Sequence, residues 1–259
     1  MKIPIYQIDA FTSEIFKGNP AAVCPLKEWL PDEVLQKIAF ENNLSETAFF
    51  VYSDNGFHIR WFSPTNEVIL CGHATLAAAY VIFNELGFEH NIIEFDSKAG
   101  LLKVIKHEDN LILDFPAHQA MPCATPQEII NGLNIEPVEC LESMDLIVVL
   151  NDEDDVKNLD PDFLELKKFD LRGVIVTAQS EEYDFVARCF FPGIGIEEDP
   201  VTGSAYTQLA PYWATKLGKD LFHAKQVSPR GGELICELFN NRVLISGKAQ
   251  KFMEGKISI

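Results

Sequence analysis

One stretch of this chain is written twice. EVILCGHATLAAAYVIFNELG, Glu67 to Gly87, returns in altered form as EDPVTGSAYTQLAPYWATKLG, Glu198 to Gly218. In both copies a glycine (Gly72, Gly203) opens a turn, a polar residue (His73, Ser204) begins a helix, and Leu-Gly closes it. The register extends upstream, where Phe57-His58-Ile59-Arg60-Trp61-Phe62-Ser63-Pro64 matches Phe185-Val186-Ala187-Arg188-Cys189-Phe190-Phe191-Pro192. Arg60 and Arg188 stand 128 residues apart, and the turn glycines and the closing glycines each 131 apart. Downstream, Gly100 and its strands match Gly231-Gly232 and theirs. Three matches in one register predict two copies of one unit: strands, a glycine turn, a central helix, then more strands. A chain of 259 residues is long enough for two such cores.

Along the chain, Ile3 to Ala10 reads as a strand and Phe11 to Pro25 as a loop carrying Gly18-Asn19-Pro20. Pro31 to Glu41 has a helical apolar face with acids at its start. The strand Ala48 to Tyr52 follows Glu46, and Asp54-Asn55-Gly56 signals a hairpin into Phe57 to Phe62. After the first central helix, Asn91–Phe95, Gly100–Lys106 and Leu111–Phe115 read as strands. Pro116 to Ala124 lacks periodicity and reads as the crossing between domains. Thr125-Pro126-Gln127-Glu128 forms a capping-box pattern starting a short helix. Leu146–Leu150 and Val174–Thr177 read as buried strands, Asn151–Asp155 as an acidic loop and Pro161–Lys168 as a helix. The expected domains are residues 1–117, with central helix 72–86 and residues 250–259 packing back on them, and residues 118–249, with central helix 203–217.

Charge narrows the function. A net charge of −18 argues against nucleic acid and anionic membranes as partners, because both need basic patches. The longest nearly apolar run, Val68 to Phe83, is interrupted by Gly72-His73 and is too short to span a bilayer. The opening residues turn polar too early for a signal peptide. The six scattered cysteines form neither a zinc-ligand spacing nor a disulfide framework, which predicts a reducing cytoplasm. Phosphate-loop, dinucleotide and metalloprotease signatures are missing, and Ser204 lacks a nucleophile-elbow frame. What remains is a cofactor-free, metal-free site of acids, a histidine, hydroxyls and helix ends.

Helix starts expose unpaired N–H groups, so the two glycine turns, Gly72 and Gly203, suit a carboxylate-bearing small molecule. Glu46, at the mouth of a strand, is placed to take and return a proton if partly desolvated; the plainer reading is a solvated turn carboxylate. His73 is either an anion-binding or proton-relaying group or a helix-capping or core histidine. Asp199 either orients His73 or a substrate amine, or is a loop acid before Pro200. Cys71, at a helix start, is either an activated thiol or a small buried hydrophobe, and Thr202 stands in its place in the second copy. Asn19 and Ser204 are candidate hydrogen-bond donors to substrate, and Arg230, before Gly231-Gly232, reads equally well as a salt-bridge or surface residue.

These motifs resemble the phenazine-biosynthesis PhzF-like isomerases, which share the diaminopimelate epimerase fold. The resemblance covers essentially the whole chain: Asp9-Ala10-Phe11 with Gly18-Asn19-Pro20, Leu44-Ser45-Glu46-Thr47, Cys71-Gly72-His73-Ala74-Thr75, Asp199-Pro200-Val201-Thr202-Gly203-Ser204-Ala205 and Ser228-Pro229-Arg230-Gly231-Gly232. It implies an α+β fold of two pseudo-repeated mixed α/β domains, each a curved, mostly antiparallel sheet or barrel around a central helix, with the active site in the cleft between them. It further implies a homodimer without metal or organic cofactor, in which a single glutamate moves a proton between carbons. That glutamate matches Glu46; the supporting His, Asp and Ser match His73, Asp199 and Ser204, and the glycine matches Gly203. The related epimerases use one cysteine in each glycine turn, and here only Cys71 is present. Two further readings stay open: an amino- or hydroxy-acid epimerase or racemase using Cys71, and a non-catalytic binding or scaffold protein.

Overall fold

The computed structural model describes residues 1–53 and 56–259, so the hairpin turn expected at Asp54-Asn55 lies outside the described residues. The chain divides into two units, Met1–Asp114 with Ser246–Ile259, and Phe115–Ile245. The first opens with β1 (Lys2–Ala10), β2 (Asn19–Leu26), α1 (Asp32–Asn42), β3 (Glu46–Ser53), β4 (Gly56–Phe62) and β5 (Glu67–Val68). It continues with α2 (Gly72–Tyr80), a π-helical turn at Val81–Glu85, β6 (Ile92–Ser97), β7 (Gly100–His107) and β8 (Asn110–Pro116). The second holds β9 (Met121–Pro122), α3 (Gln127–Leu133), β10 (Glu139–Glu142), β11 (Leu146–Val149), α4 (Glu153–Lys157), α5 (Phe163–Leu166), β12 (Val174–Gln179) and β13 (Phe185–Phe191). After a 3-10 turn at Pro192–Ile194 come β14 (Ile196–Asp199), α6 (Gly203–Leu217), β15 (Leu221–Gln226), β16 (Gly232–Phe239) and β17 (Arg242–Gly247). The final strand, β18 (Ala249–Ser258), returns to the first unit and pairs antiparallel with β1.

Strand pairing repeats as the sequence does. In the first unit β1 and β2 are antiparallel, β2 and β3 parallel, β3 and β4 antiparallel, β4 and β6 parallel, and β6 and β7 antiparallel. In the second, β10 to β11, β11 to β12, β12 to β13, β13 to β15 and β15 to β16 follow the same alternation. Each parallel pair needs a crossover, which the helices supply: α1 and α2 in one unit, α4 with α5 and then α6 in the other. Both units are therefore mixed α/β with mostly antiparallel sheets. The helix after each glycine is apolar on nearly all sides and buries accordingly. His73 to Ala79 are all buried, as are Ala205 to Trp213, and α2 packs on β1, β2, β3 and β18.

Four local expectations change. Half of the presumed loop Phe11 to Pro25 is β2, despite its two prolines. Pro20 lies before the β2–β3 ladder begins at Ala21, and Pro25 lies beyond the β1–β2 ladder, which ends at Val23. Each proline thus stands where one neighbouring strand is unpaired, so its missing N–H costs no rung there. The acidic loop Asn151–Asp155 instead enters α4, because Asp152 accepts the Asp155 N–H at 3.0 Å and caps it, with acids in the first turn. The Thr125 capping box does not form: Pro126 is extended at the N-cap position and α3 starts at Gln127. The first central helix stops being α-helical at Tyr80, although its expected Leu-Gly end holds, with Gly87 at φ 69°. Gly218 closes α6 the same way at φ 65°, a left-handed position that favours glycine.

Candidate active site

Neither turn glycine serves as a left-handed hinge. Gly72 and Gly203 are the first residues of α2 and α6, and neither is among the glycines with positive φ. The residues before them, Cys71 and Thr202, take extended N-cap geometry. The lead-in strands are held by a duplicated clamp. Arg60 grips Glu67 through Nε and Nη2 at 2.8 and 2.9 Å, and Arg188 grips Glu198 at 2.7 and 2.8 Å. Each guanidinium also lies 5.1 Å from the ring centre of a matched phenylalanine, Phe62 or Phe190. The Arg60 fork holds the Glu67 carboxyl down to about 2.

In the first unit the parallel strands β2 and β3 begin side by side, with Ala21 paired to Glu46. Asn19 therefore opens β2 and Glu46 opens β3 at the same sheet end, and α2 starts beside them. Gly18 admits the tight approach to Asn19: its φ is 63°, and a Cβ there would collide with the Ala10 carbonyl oxygen. His73 Nε2 lies 3.2 Å from Glu46 Oε2, with only 6% and 12% of the two side chains exposed. Asn19 Nδ2 lies 3.2 Å from His73 Nδ1, and Cys71 Sγ 3.5 Å from the same nitrogen. With Asn19 donating to Nδ1, the neutral ring carries its proton on Nε2, towards Glu46; the charged ring carries a second proton on Nδ1, which an Asn19 amide turned about accepts through its oxygen.

Charge in this group belongs to the glutamate and the histidine. Burial works against a charged His73, but the Cys71 sulfur and the Glu46 carboxylate outweigh it and hold the ring well above its ordinary range. Burial first, then the Glu46 charge, pushes the Cys71 thiol up to about 11. The sulfur is thus a neutral thiol near pH 7, and the carboxylate is the anion that favours the imidazolium. A thiol in that state is a weak base and nucleophile, whereas the carboxylate is a ready base with a cation beside it.

The second turn is built from other groups. Thr202 Oγ1 donates to Asp199 Oδ2 at 2.5 Å, and the Gln226 amide accepts from the Thr202 N–H at 2.9 Å while donating to the Asp199 carbonyl at 2.6 Å. Asp199 is thereby fixed to its own turn. Ser204 Oγ accepts from Arg172 Nη2 at 3.2 Å. Arg172 in turn forks the fully buried Asp145, to which Gln208 also donates at 2.7 Å. Burial opposes the Arg172 charge, and the Asp145 carboxylate more than restores it. Nothing in the spacing of residues 145, 172 and 208 announces this cluster, so sequence reading passed over Arg172, Asp145, Gln208 and Gln226.

Pairing register also identifies what corresponds to Glu46. Thr47 pairs with Phe62 and Val174 with Phe190, and the two phenylalanines are repeat partners. The residue preceding Val174 is Gly173, where a Cβ would collide with the Phe191 ring. The second copy has a glycine where the first has its carboxylate.

The model of the phenazine biosynthesis-like protein family matches residues 8–255. An uncharacterized isomerase of Pseudomonas aeruginosa is 50% identical over 259 residues, covering all of both chains. The crystal structure of a PhzF-family phenazine biosynthesis protein from Enterococcus faecalis is 47% identical, with a TM-score of 0.98 and complete coverage of both chains. A hydroxyproline epimerase from Agrobacterium vitis shares the fold alone, at 10% identity and a TM-score of 0.65 over 99% of this chain and 92% of its own. Among the described residues no helix is long and apolar enough to cross a membrane.

Proposed function

The chain belongs to the phenazine biosynthesis-like (PhzF) family of isomerases, and from that premise we propose that it moves a proton between two carbons of a small carboxylate-bearing substrate, with Glu46 as the carrier. The observation that carries this reading is the largely buried Glu46–His73 pair at 3.2 Å. In the proposed cycle the Glu46 carboxylate takes a proton from one carbon and the C–H electron pair passes into the substrate. The neutral acid then returns the proton to a second carbon, restoring the carboxylate. His73 holds Glu46 through Nε2 and supplies positive charge beside the electrons that develop on the substrate. Gly72 lacks a side chain where the first N–H groups of α2 open, which lets a substrate carboxylate approach them. Ser204 with Arg172, at the start of α6, are assigned to substrate binding, and Asp199 to orienting polar substrate groups. The reading needs no metal or organic cofactor, and a cytoplasmic homodimer belongs to it by resemblance. A thiol route through Cys71 is less well supported, because the thiol is held neutral and Thr202 replaces its partner.

A thermal-shift screen of small aromatic and aliphatic carboxylates finds the ligand class, since ligands of the native state raise Tm. Glu46→Gln is then expected to lower turnover of the resulting substrate by roughly 10²–10⁴-fold while still binding it. Full turnover by that variant removes Glu46 from the mechanism.

A further inference from the structure

The sequence offers Asn19 as a donor to substrate, but the fold buries it completely and sets its amide nitrogen 3.2 Å from His73 Nδ1. That is the ring nitrogen other than the one that meets Glu46. We propose that Asn19 is a positioning residue that acts through His73. Its amide serves Nδ1 as donor to the neutral ring and as acceptor from the charged ring, which keeps an N–H on Nε2 directed at Glu46 in both states. The backbone holds the amide in place. Asn19 is the last rung of the β1–β2 ladder, opposite Ala10, and Gly18 before it closes onto the Ala10 carbonyl. In the loop leading to Gly18, the Thr12 N–H donates to the Lys248 carbonyl at 3.1 Å. The Phe16 N–H donates to the buried Asp9 carboxylate at 2.9 Å. Phe11 and Phe16 take left-handed φ angles of 61° and 70°, a strain that persists only where the surroundings enforce it and that gathers around functional groups.

An amide suits this task because it carries a donor and an acceptor on one carbon, and a half-turn exchanges them. A carboxylate could only accept, and an aliphatic group could do neither. The titratable groups against the ring are Glu46 from β3 and Cys71 from the turn before α2. Glu46 takes Nε2. The Cys71 sulfur lies 3.5 Å from Nδ1 and 4.0 Å from Nε2. Two such similar distances place it against the ring and out of line with either nitrogen, so the Nδ1 direction is left to Asn19. A neutral ring protonated on Nδ1 alone would turn its Nε2 lone pair towards the Glu46 carboxylate. By donating to Nδ1 the amide disfavours that tautomer. The consequence for turnover rests on the role given to Glu46 above; the placing of the ring protons does not.

The test follows the ring nitrogens of His73 by nitrogen NMR across pH in the substrate-free chain, with His73→Asn identifying its signals. The parent's neutral form should carry its proton on Nε2. Asn19→Leu should lower the midpoint at which the ring loses its charge by roughly one to two pH units, the size of one hydrogen bond to a charged group. Asn19→Asp, nearly the same shape, should raise that midpoint, because a carboxylate favours the charged ring. Circular dichroism confirms folding, and Asn19→Asp alone decides if Asn19→Leu does not fold. With a substrate in hand, kcat of Asn19→Leu should be roughly five- to tenfold below the parent's one pH unit above the variant's own midpoint, where its ring is about nine-tenths neutral. Its KM should stay within about twofold. An unchanged midpoint in either folded variant, a neutral parent ring protonated on Nδ1, or a raised KM with kcat unchanged overturns the proposal. Full turnover by Glu46→Gln alongside the expected midpoints would overturn the assigned reaction and leave the role of Asn19 standing. Turnover lost in Glu46→Gln alongside unmoved midpoints would do the opposite.

Discussion

In the first unit Arg60 forks Glu67 and rests on Phe62; in the second Arg188 forks Glu198 and rests on Phe190. Both clamps tie a lead-in strand to the strand before it, and both lead to an extended N-cap residue and a buried helix. Beyond that point the copies part. At the first helix start Glu46, His73, Cys71 and Asn19 converge, with a carboxylate against a histidine held well above its ordinary range. At the second, Thr202, Asp199 and Gln226 lock the turn to itself, and Arg172 stands beside Ser204 with its charge balanced by Asp145. Glu46 has become Gly173. The two copies share what shapes the backbone and differ in the polar groups around the helix start. The first turn sets a carboxylate against a histidine, and the second holds a cation balanced by its own carboxylate.

The clamps offer the largest test of likeness. Arg60→Met and Arg188→Met should each destabilise the fold by ~2–3 kcal/mol, because a partly buried glutamate loses its arginine fork, although Glu67 keeps Lys98 at 2.6 Å. Arg188→Met should cost more. Arg188 also satisfies the Val156 and Leu159 carbonyls at 3.3 and 2.7 Å, whereas the further partner of Arg60 is the exposed Asp32. Denaturant unfolding ranks the two, and equal costs would mean that those carbonyl bonds add nothing.

Two pH measurements follow, and their signs differ. Glu67 is depressed to about 2, so its contribution is present above the ordinary carboxylate value of about 4.3 and lost as pH falls towards 2. Arg60→Met should flatten that acid limb of the Tm profile. His73 is raised, so its contribution is full below its ordinary value of about 6.5 and lost as pH climbs through the raised value. The parent chain should decline in Tm above neutrality and His73→Asn should remove that decline, and an unchanged alkaline limb would argue against the charged pair.

The smallest effect belongs to the thiol positions. Cys71→Ser should leave turnover within roughly threefold, since a group held at about 11 contributes little as a base at neutral pH. Thr202→Cys, which restores the missing sulfur, should not create α-proton exchange on amino acids. Exchange appearing in that variant would place the chain nearer to a two-thiol epimerase.

Much of the scaffold was legible in the chain. The repeat register anticipated the matched ladders, Gly203 to Leu217 is the second central helix at its expected bounds, and both Leu-Gly endings fall where the helices stop. Asn19, Glu46 and His73 were singled out separately, and β2, β3 and α2 bring them into contact. What escaped has physical causes. Prolines at 20 and 25 read as breakers, because a sequence does not reveal which edge of a strand will be unpaired. The Asp145–Arg172–Gln208 cluster joins residues up to 63 apart with no periodic signal. The arginine matches were visible as register marks, but their partners Glu67 and Glu198 sit at a slightly different offset, and only the paired strands show what the arginines hold.

The most direct test of the Glu46 assignment starts from substrate deuterated at the carbon that gives up the proton and follows the label by NMR for the parent chain, Glu46→Gln and Cys71→Ser side by side. The account predicts product from the parent and from Cys71→Ser, with deuterium carried to the second carbon, and neither product nor loss of the label with Glu46→Gln. Product or label loss that persists in Glu46→Gln and disappears in Cys71→Ser would contradict it.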